Sequence, residues 1–201
     1  ELSSHFAKIE MCEPYENDIL IFPVGSRTLR DMNEWAAALV DFCGEHEIPV
    51  KITRCPLLQN TADVKYAYEI NHAYLTDAIR VFPLRPFFTI SEIEFVKECR
   101  EIAKAGKDSV RWYTALLDPF LDGRDGPEIL HTLEVYLLDK NSSVVETASH
   151  LFVHKNTVKY RLQKAGDILG FRIGDVPQSK NLIYALSLRR IMLTSETELL
   201  K

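Results

Sequence analysis

The sequence lacks the features that define several large classes of protein. No apolar run approaches the roughly 18 residues of a membrane-spanning helix. Its beginning, ELSSHFAKIEMCEPYEND, has neither an initiator Met nor a basic segment followed by an apolar core. We therefore expect no signal peptide, no membrane partner, and a cytoplasmic chain that is trimmed in front or is the C-terminal part of a longer one. Because 46% of the residues are hydrophobic and 26% are charged, wholesale disorder is excluded.

Motifs for catalysis and metal binding are also missing. The sequence has four cysteines, Cys12, Cys43, Cys55 and Cys99. No pair of them has the spacing of a zinc ligand set, and there is no Walker loop or G-x-S-x-G segment. His150 and His154 are four residues apart, but a predicted turn between two helices separates them. We predict no enzyme activity, no catalytic residues, no cofactor and no metal site.

Charge is distributed unevenly along the chain. The whole sequence has 24 Lys and Arg against 29 Asp and Glu. Residues 1–126 hold 14 basic and 21 acidic residues, whereas residues 127–201 hold 10 basic and 8 acidic residues. The segment LFVHKNTVKYRLQK, residues 151–164, concentrates four of the cations and contains no acid. This asymmetry favours two domains, the second of which faces a polyanion.

The first part of the chain shows strand and helix patterns in alternation. Asp18–Gly25 is predicted to be a buried strand, a helix closing at Gly44 follows it, and a second strand is predicted near Val50–Thr53. Strand, helix and strand in this order indicate a βαβ-like or α+β unit. Further helices are predicted over 61–82 and from a Thr89 capping box onward.

The segment DGRDGPE, Asp122–Glu128, is the clearest boundary, with two Gly, a Pro and alternating charge. Asp125 and Glu128 are placed as a capping box, with Pro127 in the first turn. We predict domains at 1–124 and 125–201, the second with four helices. The fold class is therefore expected to be α+β, a small α/β domain followed by an all-α helix-turn-helix domain.

The cationic segment is amphipathic at helical spacing. Val158, Leu162, Ala165 and Leu169 fall on one side of the helical wheel, and the opposite side is polar. A short helix from about Val144 precedes it across a connector of three or four residues. A short helix, a tight turn and a cationic helix are typical of the helix-turn-helix motif, although the connector has no Gly.

The exposed residue types of this helix suit double-stranded DNA. Lys and Arg neutralise phosphates, and Asn, Gln and Lys can pair with base edges in the major groove. We predict that one group reads or touches bases: Lys155, Asn156, Lys159, Tyr160 and Gln163. We predict that a second group holds the DNA backbone: His154, Thr157, Arg161 and Lys164. For His154, capping of the helix is the alternative role.

The segment LHTLEVYLLDKNSSVVETASHLFVHKNTVKYRLQKAGDILGF resembles the C-terminal helix-turn-helix of the PucR and sugar-diacid-regulator (CdaR-like) bacterial transcription regulators. Its central VHKNTVKYRL is similar to the family's VHRNTVRYRL. Lys155 and Lys159 stand where that pattern often has Arg, which keeps the charge but loses the planar fork. The resemblance implies a dimer, or a higher homo-oligomer, that binds a roughly two-fold-symmetric operator.

The resemblance also implies functions for the rest of the chain. The region 1–124 is similar to the degenerate GGDEF-like region that precedes this helix-turn-helix, and we expect it to dimerise or transmit a signal. It lacks the GG(D/E)EF turn of an active cyclase, so it should be catalytically empty. A small-molecule effector would act through an N-terminal sensory region that is not in this chain.

Two other interpretations fit the same residues. A sequence-neutral architectural DNA binder would use the cations without reading bases. A ligand-sensing scaffold would use the helix-turn-helix for protein contacts alone. In that case, neutralising Lys155 and Lys159 would leave DNA affinity unchanged.

Overall fold

The computed structural model describes residues 9–15, 18–23, 29–56, 58–85 and 87–199. Their contacts divide the chain into two units, Glu1–Val50 and Lys51–Lys201. In the first unit, strands β1 (Ile9–Tyr15) and β2 (Asp18–Pro23) pair antiparallel, and helix α1 (Leu29–Glu45) follows. The predicted strand and helix are thus present, and β1 is an element that the sequence patterns did not indicate.

The second unit begins with a small βαβ arrangement. Strand β3 (Ile52–Arg54), helix α2 (Thr61–Val81) and strand β4 (Phe87–Thr89) follow one another, and β3 pairs with β4 in parallel. Of the two alternatives predicted for β2, α1 and β3, the βαβ-like unit is therefore wrong, because β2 and β3 each pair with another strand. β2 pairs with β1, its immediate neighbour in sequence, because closing a short loop costs less entropy than a crossover.

The rest of the second unit is helical. Its elements are α3 (Ile90–Lys104), α4 (Lys107–Thr114), a 3₁₀ helix (Ala115–Phe120), α5 (Gly126–Glu134) continued by a π turn (Val135–Asp139), α6 (Val144–His150), α7 (Lys155–Leu169) and α8 (Gln178–Leu199). The four helices predicted after residue 125 correspond to α5 to α8. The described residues are mostly helical, and their strands form two two-stranded sheets.

One hydrophobic core holds the second unit together. Ala78 of α2, Ile93 of α3, Leu133 of α5 and Leu186 of α8 are fully buried in the same cluster. Both sides of the predicted border at 124/125 contribute to it. Residues 122–125 of the DGRDGPE segment lie in the turn between the 3₁₀ helix and α5, and its last three residues begin α5. The division at 124/125 into a GGDEF-like domain and a DNA-binding domain stays a prediction.

Two of the predicted helix caps have different outcomes. Thr89 and Glu92 form a reciprocal capping box at the start of α3, as predicted. The capping box of Asp125 and Glu128 is wrong, because Asp125 makes no side-chain cap bond to the described start of α5. Its backbone is helical rather than extended, and its carboxylate binds a Lys of α7 instead, a stronger charge-assisted hydrogen bond.

Candidate nucleic-acid interface

Helix α6 is short and is defined at both ends by hydrogen bonds. The Ser143 hydroxyl accepts from the backbone N–H of Glu146 at 3.3 Å, which satisfies one free donor at the N-terminus. At the other end, the N–H of Leu151 donates to the carbonyl of Thr147 at 2.9 Å. Four residues, Leu151–His154, then connect α6 to α7. This confirms the predicted short helix and tight turn.

Phe152 lets the turn close without glycine. Its φ of +55° lies in the left-handed region, which strains residues with a side chain. The next N–H, of Val153, donates to the carbonyl of Ala148 at 3.1 Å, which ties the turn to α6. Phe152 is 96% exposed. The conformation that glycine commonly supplies is therefore supplied here by a surface phenylalanine.

His154 caps the cationic helix. Its backbone is extended, and its Nδ1 accepts a hydrogen bond from the N–H of Asn156 at 3.2 Å. The alternative role given to His154, that of a helix cap, is confirmed. At the other end, Gly170 takes the left-handed conformation with a φ of +77° and ends α7.

The predicted buried stripe of α7 is also confirmed. Val158 and Ala165 are fully buried, and Leu162 and Leu169 pack against the core of the unit. Helix α7 packs against α6 and α5. These contacts fix which side of α7 faces solvent.

The five side chains predicted to read bases all lie on the solvent side of α7. All five are exposed, and Tyr160 is 60% exposed: Lys155, Asn156, Lys159, Tyr160 and Gln163. They share a face because residues three or four apart in a helix are neighbours. The structure therefore brings together amide, ammonium and phenol groups on one convex helix surface, the shape that enters a major groove.

Two of the residues predicted to hold the DNA backbone lie on the side of α7 that contacts α5. Arg161, whose side chain is 17% exposed, forms an ion pair with Glu128 and donates to the Thr132 hydroxyl at 3.3 Å. Lys164 binds the carboxylate of Asp125 at 2.6 Å. This bond lowers the pKa of Asp125 and raises the pKa of Lys164. Both cations thus connect α7 to the start of α5.

A cleft of about 610 Å³ runs along the other side of α7. Its lining includes Lys159, Gln163 and Asp167 of α7, Tyr136 of the π turn and Arg172 of the following loop. Arg172 is exposed, and reasoning from the sequence missed it because it lies beyond the predicted helix. Its position two residues after the helix-ending Gly170 is the signal that points to it.

Other polar contacts and clefts of the second unit lie away from α7. The amide oxygen of Asn71 on α2 accepts from the Thr53 hydroxyl of β3 at 2.6 Å. A second cleft, of about 490 Å³, includes Glu98, Tyr113 and Tyr184 in its lining. Within the described ranges there is no group of His, Cys, Asp and Glu that could hold a metal ion. No helix among the residues described is long and apolar enough to cross a membrane.

Comparison with known proteins identifies the helices around this surface. Residues 129–188 match the family described as PucR C-terminal helix-turn-helix domain. The purine catabolism regulatory protein of Bacillus subtilis is 34% identical over 87 residues, which cover 43% of this chain and 16% of that protein. Uncharacterized proteins of Mycobacterium tuberculosis and Mycobacterium bovis are 39% identical over 61 residues, 30% of this chain and 14% of theirs.

Residues 129–188 are therefore similar to the C-terminal helix-turn-helix domain of the PucR type, in agreement with the sequence resemblance. The matched segments span less than a fifth of the length of these relatives. No solved structure matches the chain.

Proposed function

We propose that this chain is a sequence-specific, DNA-binding transcription regulator of the PucR type, and that it binds operator DNA through α7. The observation that carries the proposal is the exposed face of α7. It presents Asn156 and Gln163, which suit adenine, beside Lys155 and Lys159, which suit guanine or phosphate. The family match of residues 129–188 and the regulatory name of the Bacillus subtilis relative support it.

Each residue of the surface has a proposed role. Asn156 and Gln163 read base edges from the centre of the face, with Lys155, Lys159 and Tyr160 beside them. His154 holds the N-terminus of α7 and lies where the DNA backbone would pass. Thr157 is half-buried, and its hydroxyl is proposed to reach a phosphate. Arg161 and Lys164 were predicted to hold the backbone, but their ion pairs with α5 favour a bracing role.

We propose a homodimer as the working form. A single helix of this length makes few base contacts, and two copies about 34 Å apart would double them on a two-fold-symmetric operator. The residues before 125 are proposed to dimerise or to transmit the signal of a small-molecule effector, as a GGDEF-like region without cyclase activity. The proposal includes a cytoplasmic location and no enzymatic reaction.

The test is a binding experiment on selected DNA. Sites are selected from a random duplex pool, and fluorescence anisotropy compares the selected duplex with a scrambled one. We expect the native chain to bind the selected site at least about 10³-fold more tightly. Asn156→Ala should reduce this ratio by about 5- to 150-fold, the value of one good pair of base hydrogen bonds. Asn181→Ala, the same change on the exposed surface of α8, is the matched control and should leave the ratio unchanged.

Other outcomes would favour the alternatives. Equal affinity for both duplexes, with a steep loss as salt increases, would indicate a sequence-neutral architectural binder. If the native chain binds neither duplex, the helix-turn-helix serves protein contacts and the proposal fails.

A further inference from the structure

The cations near α7 lie on two different flanks of the helix. Lys159 and Lys164 are separated by about 140° on a helical wheel at 100° per residue. Arg161 falls on the Lys164 side, which packs on α5, and Lys155 falls on the Lys159 side. The two flanks therefore have different neighbours, and a phosphate that approaches them meets different charges.

The flank against α5 is already neutralised. Asp125 and Glu128 place two carboxylates opposite Lys164 and Arg161, and both ion pairs are formed. A phosphate that approaches this flank meets these carboxylates as well as the cations. The phosphate would have to displace the carboxylates from Lys164 and Arg161. Because these cations are already paired, each contact would release fewer counterions from the DNA, and counterion release is the main source of phosphate affinity.

The flank along the cleft has the opposite character. Lys155, Lys159 and Arg172 are exposed, and among the described side chains none of the three has an ion-pair partner. Asp167 is the one carboxylate in the lining of the cleft, against the two cations Lys159 and Arg172. The net charge of this flank is positive. Gln163 lies between the flank and the centre of the exposed face of α7.

Arg172 belongs to a turn that is held firmly in place. The chain reverses at Gly170, which brings the Phe171 carbonyl close to Gly166. A Cβ added at Gly166 would lie 2.9 Å from the carbonyl oxygen of Phe171. The carbonyl of Arg172 accepts from the N–H of Asp175 at 3.0 Å. Phe171 and Ile173, on either side, pack against the core. The guanidinium is therefore attached to a rigid backbone beside α7, which reduces the entropy lost on binding.

We propose that the cleft between α7 and the loop after it is the phosphate-binding flank of the DNA interface, with Arg172 and Lys159 contacting phosphates of the DNA backbone. This inference rests on the proposed function and extends it to a residue outside the helix. Arg161 and Lys164 then brace α7 against α5 instead of contacting DNA. Gln163, at the edge of the cleft, lies between the phosphate contacts and the base-reading face.

Salt-dependent DNA binding of the full chain tests the assignment. Anisotropy titrations at several salt concentrations compare native protein, Arg172→Gln and Lys159→Gln with the control Lys164→Gln. Every variant loses one positive charge, so general electrostatic attraction changes equally. We expect the slope of log K against log salt to fall in magnitude by about 0.9 for each lost phosphate contact in the first two variants. Affinity should fall alike for selected and scrambled DNA.

The control results make the outcome decisive. Lys164→Gln should keep the native slope, and Arg172→Lys should restore most of the slope lost in Arg172→Gln. The inference is overturned if Arg172→Gln keeps the native slope, or if Lys164→Gln lowers it as much as Arg172→Gln does. Circular dichroism of each variant shows whether the fold is retained. A native chain that binds no duplex would refute the proposed function itself, which is a different result from an unchanged slope.

Discussion

Arg190 of α8 forms a two-pronged ion pair with Asp139, the last residue of the π turn. Its Nη1 and Nη2 lie 3.0 and 2.7 Å from the two carboxylate oxygens. The Asp139 side chain is fully buried, and Arg190 Nη1 also donates to the carbonyl of Val81 at 2.5 Å. One guanidinium thus connects α8, the π turn and the end of α2. This connection joins the helices around the proposed DNA-binding surface to the part of the unit that precedes them.

Breaking this pair should strongly destabilise the second unit. In Asp139→Asn, Arg190 loses the negative charge of Asp139, and breaking an ion pair whose carboxylate is fully buried costs about 3–5 kcal/mol of unfolding free energy. Urea denaturation followed by circular dichroism measures it. Asp118→Asn breaks an ion pair with Arg111 in which both side chains are largely exposed, so it should cost far less. If both variants lose the same unfolding free energy, the burial of Asp139 does not determine how much its ion pair contributes to stability.

Relief of backbone strain at the turn should stabilise the helix-turn-helix. Phe152 has a φ of +55°, and a left-handed conformation costs a residue with a Cβ about 1–2 kcal/mol. Because the ring is exposed, Phe152→Gly removes this strain and loses little packing. We expect the unfolding free energy to rise by about 1 kcal/mol after the extra entropy of glycine in the unfolded chain is deducted. Phe152→Ala removes the same ring but keeps the Cβ, so its unfolding midpoint in urea should stay near that of the native chain.

Helical periodicity made the buried and exposed sides of α7 largely predictable. The spacing of Val158, Leu162, Ala165 and Leu169 follows the pitch of the helix, so the sequence directly indicates which side is buried. Once that side is known, the exposed positions of Asn156 and the other base-reading candidates follow from geometry alone. The cap at His154 could also be suggested from the sequence, since a cap depends on residues within one turn of each other.

Contacts between distant residues could not be predicted in this way. Glu128 and Arg161 are 33 residues apart, and Asp125 and Lys164 are 39 apart. Local spacing made the two acids resemble a capping box, whereas the packing of α5 on α7 gave them cationic partners. The pairing of β3 with β4 was hidden for a similar reason, because strands of three residues carry too little alternation to identify a partner.

The close approach at Gly166 predicts a specific sensitivity of α7. A Cβ at this position would lie 2.9 Å from the backbone oxygen of Phe171, which cannot move as a flexible side chain would. Gly166→Ala should therefore lower the unfolding free energy by about 1–3 kcal/mol, although alanine is the better helix former. Gln163→Ala, an exposed change one turn earlier, should stay within about 0.5 kcal/mol of the native value. A Gly166→Ala chain that is more stable than the native one would show that the loop carrying Arg172 is not held against the helix.

Asp77 should contribute a pH-dependent part of the stability. Burial raises the pKa of its carboxyl, but the hydrogen bonds and charges of Arg100 and Arg80 outweigh burial and place the pKa below its ordinary value of 3.8. Arg100 Nε lies 2.7 Å from one Asp77 oxygen, and Arg80 Nη1 lies 3.1 Å from the other. A carboxyl with a lowered folded-state pKa contributes its full stability above the unfolded-state pKa. That contribution is lost as the pH falls through the folded-state value.

The difference in unfolding free energy between the native chain and Asp77→Asn isolates this contribution, because asparagine does not titrate. We expect the difference to be largest at neutral pH and to shrink as the pH falls below about 4. Urea denaturation at a series of pH values measures it. Glu69→Gln, which breaks the exposed pair with Lys65 on the same helix, should give a small difference at every pH. If the difference in unfolding free energy between the native chain and Asp77→Asn stays constant at acidic pH, the negative charge of Asp77 does not stabilise the packing of α2 on α3. Its shape and hydrogen bonds would then account for its contribution.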